Sequence, residues 1–127
     1  MTRTRRGGHG QATVELALLL PVVVLLVLAV LQLALVARDV VLVTHASREA
    51  ARAAAVDPEP DAPLRAARAA GGLDPDRLRV EARGGADAGD RVQVEVTYEI
   101  PTTVPIIGSL LGDPTVHSTT TMRVEHP

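Results

Sequence analysis

The chain has no cysteine, no tryptophan and no phenylalanine, and its one tyrosine is Tyr98. Without thiols there is no disulfide, no thiol nucleophile and no cysteine-based metal site, although the redox compartment stays open. A single ring leaves almost no platform for base stacking. Lysine is absent too: all 13 basic residues are arginines, set against 15 acidic ones, for a net charge of -2 and a pI near 6.0. That balance offers no electrostatic footprint for a polyanion, so nucleic acid is not an expected partner. In 127 residues there is room for one compact domain at most.

Catalytic signals are missing as well. His9, His45, His117 and His126 are scattered, and none forms a His-x-x-x-His pair. Ser47, Ser109 and Ser118 lack a nucleophile-elbow context. Gly7, Gly8 and Gly10 follow no strand and make no phosphate loop. No cofactor, metal or small-molecule substrate is expected, and the chain reads as non-enzymatic.

What the sequence does have is one long apolar run. From Leu16 to Ala37, LALLLPVVVLLVLAVLQLALVA carries no charge, and about 20 residues at about 1.5 Å each cross a hydrocarbon core of about 30 Å. Only Pro21 and Gln32 interrupt it; a proline inside a lipid-embedded helix predicts a local bend. Arg3, Arg5 and Arg6 precede the run, whereas Arg38 after it is followed at once by Asp39, which predicts a cytoplasmic N-terminus. A cleaved signal peptide also begins with basic residues, but its apolar core is about 7–15 residues long. Membrane lipid is therefore the first expected partner.

Helical spacing continues past the run through Val40, Val43, Ser47, Ala50 or Ala51 and Ala54. One helix is predicted from about Ala12 to Val56, where Asp57-Pro58-Glu59-Pro60 breaks it. A short second helix follows over Ala62–Ala70, ended by Gly71-Gly72. Leu78, Val80 and Ala82 then alternate with charged residues. Val92, Val94, Val96, Tyr98 and Ile100 alternate with Arg91, Gln93, Glu95, Thr97 and Glu99. These predict a hairpin around GGADAGD with cross-strand Arg–Glu pairs on its wet face. A third strand is predicted from Thr115 to Val124, with Val116, Ser118, Thr120, Met122 and Val124 on one side. Three strands bury too little alone, so the Ala-rich end of the long helix should pack on the valine face. The fold class is thus α+β: a long helix on a small antiparallel sheet. Between the last two strands, Ile106, Ile107, Leu110 and Leu111 sit in a Pro- and Gly-punctuated loop, either capping the small core or contacting a partner subunit or the outer leaflet.

The stretches GQATVELALLLP and HASREAARAAAV, with a strand-rich tail containing PIIGSLLG and TTTMRVE, resemble TadE-like proteins. The resemblance implies a pilin-like or pseudopilin-like subunit of a tight-adherence pilus system. It also implies a basic leader removed at the cytoplasmic face by a prepilin peptidase, with other pilin-like or assembly subunits as partners. On this sequence the cut falls after Gly10, the new N-terminus is Gln11, and the carboxylate five residues past the glycine is Glu15. The implied organisation is a leader at 1–10, a transmembrane helix at 11–37, a helical extension at 38–56 and a small α+β domain at 57–127. One helical turn separates Gln11 from Glu15, so a freed amine and the carboxylate could meet within or between chains. Leu16 stands where many pilins carry an aromatic, and Ala50 where relatives often have glycine. Two other readings stand beside it: a secreted binding module released by signal peptidase near Ala29 or Ala37 and acting in solution, and an uncut envelope anchor.

Overall fold

A computed structural model describes residues 8–85, 87–101 and 112–125. Helix α1 runs from Gly8 to Val56, 49 residues that include Pro21. It starts four residues before the expected Ala12. It stops where expected: Asp57 N still donates to Ala53 O at 2.8 Å, but Pro58 disfavours the helical conformation of the residue before it. Helix α2, Ala62–Ala69, carries Pro63 in its first turn and gives way to Gly71 and Gly72, both at positive φ (76° and 82°). Arg65 gathers three carboxylates around this corner: Asp61 at 2.7 Å, and Asp57 and Glu59 at 3.4 Å. Hydrogen bonding to Glu59, then the charge of Asp61, raises its pKa.

Strands β1 (Leu78–Gly84), β2 (Arg91–Glu99) and β3 (Thr115–Arg123) form one antiparallel sheet in the order β1-β2-β3. Every second residue of β2 faces inward, so Val92, Val94, Val96 and Tyr98 are buried and Ile100 follows them. They pack against Val43, Ala46, Ala50, Ala51 and Ala55 of α1. Alanine lets the helix backbone approach the sheet closely, and the valines fill the space. Leu78, Ala67 and Val124 complete this core. The sheet is tied to the end of α1 by Glu125 N donating to Ala55 O at 2.9 Å.

Three expectations need correction. The inward stripe of α1 does not begin at Val40, which is exposed, and Ala54 is only half-buried; the buried positions are Gln32, Asp39, Val43, Ala46, Ser47, Ala50, Ala51 and Ala55. Strand β1 buries Leu78, half-buries Val80 and leaves Ala82 exposed, so its inner face is covered at one end only. The cross-strand Arg–Glu pairs do not form: the register sets Arg79 opposite Thr97, Glu81 opposite Glu95, and Arg83 opposite Gln93. Arg91 likewise lies opposite Arg123. The ion pair on this face runs along one strand instead, Arg83 to Glu81 at 2.7 Å. Ile106, Ile107, Leu110 and Leu111 lie outside the described residues.

Candidate functional site: a bare apolar helix with a carboxylate near its start

Gly10, Gln11, Val14, Glu15 and Leu18 line one side of α1's first turns. The structure thus brings together the three positions the sequence singled out, Gly10, Gln11 and Glu15, on a single helical face. Glu15 is exposed and has no ion-pair partner among the described residues. A Cβ added at Gly10 would meet nothing within 4 Å, so this glycine is not required by packing within the chain.

From Val14 to Leu33 the helix is apolar except at Glu15 and Gln32, and apart from the buried Gln32 and half-buried Leu28 it is uncovered, with Leu16, Leu18, Leu26 and Val30 all more than half exposed. An 18-residue window of the helix has none of its residues buried. Withdrawing one Leu or Val from water is worth about 1.5–3 kcal/mol, so a dozen such side chains left in water would be untenable. The core helix of a soluble domain would have one side covered; this one fits a membrane anchor.

Residues 10–52 match the TadE-like protein family.

The TadE-like segment takes in Gly10, Gln11, Glu15, the whole apolar run and most of the alanine stripe beneath the sheet. It ends before α2 and the three strands, so the strand-rich tail lies outside the match. No curated protein and no solved structure matches the chain.

Two features of the TadE-like segment were not legible as important. Ser47 is fully buried; its hydroxyl donates to Thr44 O at 3.0 Å and lies 2.9 Å from both Ser118 Oγ and Thr120 Oγ1. One donor and two lone pairs are thereby all engaged, which locks α1 to β3 at one register. The signal was present as a serine on the helix's inward stripe facing hydroxyls on the inward stripe of β3. Gln32 and Asp39 are also buried, with Asp39 paired to Arg38 at 3.4 Å and Gln32 Oε1 lacking a hydrogen-bond partner among the described residues. A span read only for its lack of charge gives no sign of this. His45 and His117 are exposed.

Proposed function

We propose that the chain is an accessory pilin-like membrane protein that takes part in assembling a tight-adherence pilus or secretion system. It inserts with its N-terminus in the cytoplasm and holds the sheet domain outside. A prepilin peptidase cuts after Gly10, removing Arg3, Arg5 and Arg6 and freeing the Gln11 amine beside Glu15. Its work is assembly and not turnover. The observation that carries this reading is the family match over residues 10–52, which starts at the glycine of the Gly-x-x-x-x-Glu spacing and continues through the uncovered apolar helix.

The freed amine gives the spacing a physical purpose. A carboxylate at the edge of hydrocarbon needs a cationic partner, and Gln11 stands one turn away on the same face. The apolar quartet Ile106, Ile107, Leu110 and Leu111 is the sequence's candidate for a contact with a neighbouring subunit.

The test is the mass of the mature N-terminus after co-expression with a prepilin peptidase. A chain starting at Gln11, and a Gly10→Val variant that stays uncut, are the expected results. Intact Met1-containing chain, or unchanged cutting of Gly10→Val, contradicts the assignment. Because the position of a Cβ at Gly10 is open space, a processing defect in that variant reports on the peptidase and not on folding. Ile107→Ser with Leu111→Ser should abolish assembly without lowering the thermal midpoint of the monomer.

A further inference from the structure

The two sides of α1 change character at different heights. On one side, Gln32, Asp39, Val43, Ala46 and Ala50 follow one another at helical spacing. Gln32 and Asp39 are each only 8% exposed, and Val36 packs against the core. The folded domain therefore begins at Gln32, five residues inside the charge-free run. Two residues round the helix, about 200° away, the sequence Val30, Ala34, Ala37, Val41 lines the other side, and it stays apolar past the end of that run. Val41 is 67% exposed and Leu33 is 69% exposed. Above Val41 this side turns polar with Thr44, His45 and Arg48, and α1 exposes no other large apolar side chain until Val56.

An upright helix leaving the bilayer at Ala37 handles this badly. It sinks the lower edge of the domain about 8 Å into hydrocarbon and leaves Val41 in water. Leaning toward the Val41 side corrects both, because the covered side rises and the bare side drops. Arg38 is no obstacle: its side chain is 61% exposed, with Nη1 3.4 Å from Asp39 Oδ1, so its guanidinium can reach the headgroups while its stem stays apolar. We infer that α1 leaves the bilayer tilted, with its Val30–Val41 side lying on the lipid of the outer leaflet and the sheet domain carried on the upper side. The occupant of this face is lipid because the exposed apolar surface is continuous with the membrane span itself. The inference rests on α1 being that span.

The full-length chain lacks cysteine, so single cysteines at Leu25, Val40, Val41 and Arg48 can each carry an environment-sensitive fluorophore without a background thiol. The labelled chains go into dilute vesicles of phosphatidylcholine and phosphatidylglycerol. Quenching is then read from lipids bearing a nitroxide just below the headgroup and from aqueous iodide. Several-fold more lipid quenching at Val41 than at Arg48, and more at Val41 than at neighbouring Val40, is the expected result. Iodide access at Val41 equal to that at Arg48 overturns the tilt while Leu25 remains shielded. Iodide access at Leu25 instead defeats the spanning reading itself. Protection of Val41 from both quenchers, with a cross-link between two Val41→Cys chains, assigns the face to a second copy and also overturns the proposal.

Discussion

The two halves of α1 obey different packing rules although they are one helix. Between Val14 and Leu33 most side chains are large and apolar, and all but Gln32 and Leu28 are exposed; between Val43 and Ala55 the inward ones are small and buried. Lipid accepts any apolar shape because it flows around it. A sheet does not, because each position opposite Val94 or Val96 has a fixed depth. Bulk in the first half and alanine in the second are thus two answers to two solvents.

The sharpest way to break the comparison is to remove one half of the pair. Residues 57–127 expressed alone lose Val43, Ala46, Ser47, Ala50, Ala51 and Ala55 from the core, so the valine face of β2 is left bare. A melt followed by circular dichroism should show no cooperative transition, whereas a sharp one would deny that α1 is integral to the domain.

Smaller effects follow from single changes. Ala50 is fully buried, so Ala50→Leu should destabilise the domain by about 1–3 kcal/mol through overpacking, read as a lower melting temperature. Ser47→Ala leaves Ser118 and Thr120 facing an apolar methyl and should cost about 1–3 kcal/mol. The equivalent truncation in the other half, Leu25→Ala, should leave the sheet domain's melting temperature unchanged, since no side chain of the domain is lost. Arg65→Ala should do little: all of its partners are exposed, and such pairs are weak in water. The raised pKa of Arg65 adds no pH dependence near neutrality. A cation held above its ordinary value contributes stability below that value and loses it only as pH rises through the strongly alkaline range.

The contrast also explains what the residues alone revealed. The helix, its stop at Asp57-Pro58, the short α2, three strands and the inward face of β2 were all legible, because each rests on a local period or a breaker. The outward pairing of β1 with β2 was not. A six-residue connection through Gly85 and Gly89, both at positive φ, does not fix register as a two-residue turn does, and Glu81 consequently faces Glu95. Tyr98 was legible as a core residue, but its hydroxyl accepting from Asp74 N at 3.3 Å depends on the turn at Pro75–Arg77, which has no period. At the candidate site, Gly10, Gln11 and Glu15 were named through the resemblance to TadE-like proteins, and the Gly-x-x-x-x-Glu spacing alone would not have singled them out. The burial of Gln32 and Asp39 was hidden because it comes from tertiary packing on a segment whose composition speaks only of lipid.

The most direct trial of the account is alkaline carbonate extraction of membranes from cells making the full-length chain. Retention in the membrane pellet is the result expected of a helix whose first half is solvated by lipid. Release of folded chain into the soluble fraction would mean that residues 16–37 find their cover in protein, and it would contradict the account at its base.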